Sequence, residues 1–149
     1  QNILLLAIGV LFYDITLPDS AQDWFTYAWV SLLGITACTM MGLAATGLVK
    51  NGRSAPAIIT PIAIVLQFIS GVFFVYADLP TWMQQVASLF PLKWMTQGMR
   101  SVFLPESYAT QEPAGTWEYE RIAIALLIWC VGGLLVALRT FRWRSREDG

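Results

Sequence analysis

Ser70-Gly71-Val72-Phe73-Phe74, Leu79-Pro80-Thr81-Trp82-Met83, Phe90-Pro91-Leu92 and Met99-Arg100 follow one another in a single stretch. The stretch begins inside an apolar run long enough to cross a bilayer. It continues as two short amphipathic pieces, each opened by a proline. Pro80–Phe90 would make a helix of about 16 Å and Leu92–Leu104 one of about 20 Å, both short of the roughly 30 Å hydrocarbon core. In the first piece Trp82, Met83, Val86, Leu89 and Phe90 form an apolar stripe, with Gln84, Gln85 and Ser88 opposite. In the second, Trp94, Met95, Met99, Val102 and Phe103 do the same, with Lys93, Thr96, Gln97 and Arg100 opposite. Backbone at membrane depth must satisfy its own hydrogen bonds, so short helices are admissible there and an open loop is not. The expectation is a helical hairpin over 80–104 lying in the outer interface.

The surrounding sequence supports a membrane setting. Of 149 residues 56% are hydrophobic and only 13% charged, about half the charged share of soluble domains. Apolar segments run over 2–17, 24–49, 56–76 and 121–138. The fold expected is all-α: a polytopic helical membrane protein with four transmembrane helices plus the short hairpin. The chain opens on Gln1, and the first run, Ile3–Leu17, covers about 22 Å as helix, less than a full crossing. We therefore read residues 1–149 as the C-terminal part of a longer protein. No basic region or small-residue cleavage site marks a signal peptide.

Orientation follows from lysine and arginine near the span ends. Lys50 and Arg53 lie between the second and third segments, and Arg139, Arg142, Arg144 and Arg146 follow the fourth. Six of nine basic residues thus fall on one side, the cytoplasmic side, with both termini. Eight of ten acidic residues fall on the other: Asp14, Asp19, Asp23, Asp78, Glu106, Glu112, Glu118 and Glu120. Trp24, Tyr27, Tyr76, Trp82, Trp94, Trp117 and Tyr119 read as an aromatic belt at the outer headgroups. The implied location is the inner (plasma) membrane, with a cytoplasmic C-terminus and lipids as neighbours.

Chemistry is sparse. The chain has no histidine, the commonest general base and metal ligand. Cys38 and Cys130 read as small buried thiols, too few for a zinc site. No nucleophile–base set is visible, and no G-x-x-x-x-G-K-[ST] loop for ATP. The net charge of -1 gives no reason to expect nucleic acid. No ionisable residue lies deep in the last three spans, which speaks against an ion-coupled carrier. Asp14 reads as an interfacial residue. Gly34, Cys38, Gly42 and Thr46 share one face of the second segment, where small side chains let another helix approach closely. Gln67 and Ser70 place a polar spot on the third segment, read first as helix-to-helix hydrogen bonding. Arg100 reads first as a snorkelling side chain, and the C-terminal arginines as topology determinants.

The motif from Ser70 to Arg100 resembles the C-terminal signature of type-2 ABC exporter permeases, the membrane subunits of the daunorubicin-resistance kind and related lipid and polysaccharide exporters. Leu17-Pro18 and the small-residue segment also look like that family; Val75-Tyr76-Ala77-Asp78 departs from it where many members carry a proline. The resemblance implies six spans, of which these are the third to sixth. It implies a separate ATPase subunit carrying ATP and magnesium, a second permease copy or paralogue, and no cofactor in this chain. It implies that the hairpin, with Pro80, Trp82, Pro91 and Arg100, sits over the exit as an outer gate. The helix bearing Gln67, Ser70, Phe73 and Phe74 is the candidate wall of the path, its aromatic character fitting an amphiphilic, lipid-like or drug-like cargo. The alternatives are a non-transport scaffold or sensor subunit with the same fold, and an intramembrane enzyme, which the missing catalytic groups disfavour.

Overall fold

A computed structural model describes residues 2–13, 17–46 and 55–140. Six α-helices follow in chain order: α1 (Asn2–Tyr13), α2 (Ala21–Thr46), α3 (Ala55–Ile69), α4 (Thr81–Ser88), α5 (Pro91–Phe103) and α6 (Tyr119–Thr140). Short 3₁₀ turns occupy Tyr76–Asp78 and Glu106–Gln111, and no strand occurs among the described residues. Two of the described helices, α2 and α6, are long and apolar enough to cross a membrane.

Local chemistry sets the boundaries. Ser20 starts α2: its hydroxyl accepts the Asp23 backbone N–H at 3.0 Å and donates to the Asp23 carboxylate at 2.7 Å. That reciprocal cap satisfies donors a helix start otherwise leaves free, and it begins α2 three residues before the expected Trp24. Within α2, Thr36 and Thr39 return their hydroxyls to the carbonyls of Leu32 and Ile35, both at 2.7 Å, so these polar atoms need no outside partner. Pro91 is the first residue of α5, where its missing N–H costs nothing.

The third segment ends earlier than the expected residue 76. The helix α3 stops at Ile69, and its 15 residues cover about 22 Å. The cause is Gly71, whose φ of +79° takes the chain out of the helical region. Asp14, Lys50, Arg53, Arg142, Arg144 and Arg146 lie outside the described residues, and so do residues 14–16 of the first expected segment and 47–49 of the second.

The two long helices run side by side in the same direction. The Cys130 thiol meets the Leu33 carbonyl at 3.6 Å, and further along both helices Met40 lies against Gly133. The α5 helix fits against both and runs the opposite way. Its Phe103 ring meets Tyr27 edge-on at 5.9 Å, Gly98 faces Val30 and Ile122, and Met95 faces Gly34. Buried Ala37, Ile122 and Leu126 form the shared core, with Trp29, Leu33, Trp94 and Met95 packed around them.

The hairpin therefore does not lie flat. At its tip the Leu89 carbonyl accepts the Trp129 indole N–H at 2.8 Å, and Phe90 stacks on Trp129 with ring centroids 6.3 Å apart. Trp129 sits ten residues into α6, about 15 Å along a helix of about 33 Å. The hairpin tip reaches half-way down α6. Both stripes of α5 are enclosed: Lys93 and Gln97 of the polar stripe and the neighbouring Ser101 are buried, while Met95 and Phe103 of the apolar stripe pack against α2. Polar groups away from water gain by meeting one another inside.

Close packing without a hydrophobic driving force relies on small residues at the right positions. A Cβ added at Gly133 would sit 2.7 Å from Met40 Cβ, and one added at Gly98 2.8 Å from Val30 Cγ1. A Cβ at Gly42 or Gly132 would meet nothing within 4 Å. Gly133→Ala and Gly98→Ala are expected to lower stability in detergent by about 1–3 kcal/mol through overpacking. Gly42→Ala and Gly132→Ala should be neutral or slightly stabilising by helix propensity. Thermal melts of the four variants check this ordering.

Candidate functional site

The residues between α3 and α6 converge on one side chain. Arg100, in the last turn of α5, donates from Nε and Nη2 to Glu112 Oε1 at 3.0 and 2.6 Å, and from Nη1 to the Gly71 carbonyl at 2.8 Å. Glu112 is 6% exposed and stands just after the second 3₁₀ turn. One guanidinium thus fastens the end of α3, the hairpin and the long loop to each other. Gly71 is required twice here. Its φ is left-handed, and a Cβ on it would come 2.8 Å from Arg100 Nη1. Glu112 Oε2 is buried and has no hydrogen-bond partner among the described residues.

A second cation, this one buried, lies about two turns away on α5. Lys93 is 3% exposed. Its ammonium donates to Gln97 Oε1 and lies 3.8 Å from the Trp94 ring centroid and 4.9 Å from that of Tyr76. Gln97, fully buried, passes the chain on by donating to the Trp117 carbonyl at 3.0 Å. Burial is the main cause that pushes Lys93 down to about 8; Glu112 and Glu118 oppose it. Burial first, and then the Glu112 charge, hold the Tyr76 phenol up at about 12. Its hydroxyl donates to the Gln84 carbonyl at 2.5 Å, tying the 3₁₀ turn to α4.

The expected belt therefore divides. Trp24, Trp82 and Tyr119 are exposed, whereas Tyr76 and Trp117 are buried as structural donors. The Trp117 indole donates to Glu106 at 3.1 Å.

The expected site residues are distributed as follows. Phe73 and Phe74 are exposed and gather beside Phe68, at 5.0 and 5.7 Å between ring centroids. Both line a cavity of about 260 Å³ whose polar wall is Arg100, Gln111 and Glu112. Gln67 is exposed and Ser70 fully buried, its hydroxyl without a partner among the described residues; neither lines that cavity. Of the hairpin residues, Pro91 is buried, Pro80 and Trp82 are exposed, and Arg100 is the brace rather than a snorkelling side chain. Gly34 is packed under Met95, Cys38 is half-buried, Gly42 faces open space, and the Thr46 side chain lies outside the described residues.

Sequence reading placed Lys93 and Gln97 on a polar stripe but did not turn that stripe inward. Their four-residue spacing with Ser101 was the available signal. Glu112 carried no local signal, because its partner is twelve residues away and in another element.

Taken together, the fold is a helical membrane bundle with an inward-reaching hairpin, and it holds no nucleophile–base set among the described residues. The family described as ABC-2 family transporter protein matches residues 3–139, and the chain belongs to that family. As a member it is a membrane permease component of an ABC transporter. No curated protein and no solved structure matches the chain.

Breaking a buried ion pair by removing one partner typically costs about 3–5 kcal/mol. Because the Arg100 side chain is 21% exposed, Arg100→Gln should cost about 2–3 kcal/mol, at or just below the lower limit of that range. A double-mutant cycle with Glu112→Gln should show coupling well above zero, measured by denaturant unfolding in micelles. Lys93 gives a pH signature. Its folded value lies below that of the unfolded chain, so the unfolded state binds more protons between about 8 and 10.5. Stability should rise with pH from about 8, until above about 10 the raised Tyr76 acts in the opposite sense. In Lys93→Met that rise should vanish.

Proposed function

We propose that the chain is the C-terminal part of the permease subunit of an ATP-driven exporter, moving an amphiphilic, lipid-like or drug-like cargo outward. The family match over 3–139 carries this reading. Four crossings by α1, α2, α3 and α6 are the topology, with both termini in the cytoplasm of a cell whose inner (plasma) membrane holds the protein. The parallel course of α2 and α6 supports this count. Two full-length helices running the same way require the chain between them to return across the bilayer. The 15 residues of α3, extended by the Ser70–Val75 turn, are the segment available for that return.

ATP and magnesium act on a separate ATPase subunit, and this chain supplies no catalytic group. A second permease copy or paralogue completes the path. ATP binding draws the ATPase subunits together and shifts the permease halves, opening a route toward the outer leaflet. In this scheme the Arg100 brace couples the end of α3 to the hairpin, so a movement of α3 is passed to the gate. The aromatic group of Phe68, Phe73 and Phe74 beside the 260 Å³ cavity offers an apolar wall with one charged edge, suited to an amphiphile.

The test is reconstitution of the complete transporter in vesicles. Cargo-stimulated ATP hydrolysis is expected, lost in Arg100→Gln while the basal rate persists. Stimulation by no amphiphile would instead favour a scaffold or sensor role. Topology has its own check. In a background lacking Cys38 and Cys130, Thr110→Cys should react with an impermeant thiol reagent from outside and Asn51→Cys should not. The reverse pattern would invert the orientation.

A further inference from the structure

Beside Lys93 a second cavity, of about 370 Å³, opens between α4, α5 and the start of α6. Its polar lining includes Thr81, Gln84, Gln85, Lys93, Glu118 and Arg121. The charges around it do not balance. Glu112 is engaged by Arg100, and Glu118 accepts Arg121 Nη1 at 2.5 Å. Among the described residues no carboxylate lies within ion-pair distance of Lys93, whose one hydrogen-bond partner here is the neutral amide of Gln97. Two carboxylates are matched by two guanidiniums, and the Lys93 ammonium is the excess charge. The Trp94 and Tyr76 rings offset part of the cost of burying that ammonium, and an anion joining it would supply the missing counter-charge.

The backbone at the cavity's edge is also set in a costly form. Glu118 has φ +52°, a left-handed conformation unusual for a residue that is not glycine. That conformation lets the Glu118 carbonyl accept the Ile122 N–H at 3.0 Å and start α6, and it sets Arg121 at the rim with its side chain 71% exposed. Arg121 uses Nη1 for Glu118, leaving further donors of its planar fork free.

We propose that this cavity binds a phosphate-bearing anion, a lipid phosphodiester or a free phosphate, with Lys93 and Arg121 as its cationic donors. A phosphodiester carries one negative charge, equal to the excess in the cluster. Guanidinium and ammonium are the two side chains that hold phosphate best, one as a fork and one as a point charge. Gln85 and Thr81, both exposed at the rim, offer hydrogen bonds to ester or glycerol oxygens. The site stands on charge and geometry alone, independent of whether the chain transports anything.

The chain contains two lysines, Lys50 and Lys93, which makes a direct test simple. The full chain in an uncharged maltoside detergent is reductively methylated with ¹³C-formaldehyde, and the two dimethyl-lysine signals are followed by NMR against pH. Dihexanoyl phosphatidylglycerol is added in one arm and inorganic phosphate in another. The Lys93 signal should shift and its titration midpoint should rise by about one pH unit, corresponding to about tenfold tighter binding to the charged form. Lys50 should not respond, and Arg121→Gln should weaken the response at Lys93. A response to the lipid alone assigns a lipid headgroup, and one to phosphate alone a soluble phosphate ester; either supports the site. No response to either, equal responses at both lysines, or a response unaffected by Arg121→Gln would overturn it.

Discussion

The ion pair of Arg100 with Glu112, extended to the Gly71 carbonyl, is the interaction on which the whole connection between α3 and α6 depends. Without it, three elements lack a common anchor: the end of α3, the C-terminal end of α5 and the loop before α6. The guanidinium is suited to this because its donors lie in one plane and point three ways. A lysine ammonium lacks the planar fork that meets Glu112 Oε1 with two N–H groups and the Gly71 carbonyl with a third. The geometry also explains why the chain leaves the helical region at Gly71. Only there can a carbonyl be presented to Arg100 with no side chain in the way.

Below that brace the hairpin is held by contacts of a different kind. In a lipid environment apolar burial gives little preference for one helix packing over another, so shape and hydrogen bonds decide. Gly98 and Gly34 admit Val30 and Met95, and the indole of Trp129 caps the free carbonyl of Leu89 at the tip. Lys93 and Gln97 of the polar stripe, with Ser101, are enclosed by α6, the Tyr76 turn and the Trp117 loop. The apolar stripe packs against α2, so both faces of α5 are used, and the helix carries two cations, Lys93 and Arg100, about two turns apart.

Much of the helical order was legible in the sequence because it rests on local signals. Apolar runs marked the long helices, and Pro91 marked the start of α5 to within a residue. Resemblance across Ser70–Arg100 pointed to the family that the match over 3–139 established. What the sequence withheld was depth and facing. Length alone cannot distinguish a hairpin floating in the interface from one standing between two spans, since both satisfy their backbone hydrogen bonds. Glycine packing is hidden in the same way. Gly133, outside the small-residue face read from the sequence, meets Met40, whereas Gly42 on that face meets nothing within 4 Å among the described residues, because facing depends on which helix arrives from elsewhere in the chain. Glu112 sits in a loop whose acidic residues look alike, and only the fold selects it for Arg100.

Depth is the most direct test of this account. With Cys38 and Cys130 replaced, spin labels at Leu89→Cys and Tyr108→Cys in the protein reconstituted in lipid vesicles report contact with oxygen, concentrated in the bilayer centre, and with a water-soluble nickel chelate. Both native side chains are exposed, so the labels can be tolerated. The account predicts that the Leu89 label, at the hairpin tip half-way along α6, relaxes with oxygen and ignores nickel, while the Tyr108 label does the opposite. A Leu89 label relaxed by nickel as strongly as the Tyr108 label would place the hairpin at the surface and contradict it.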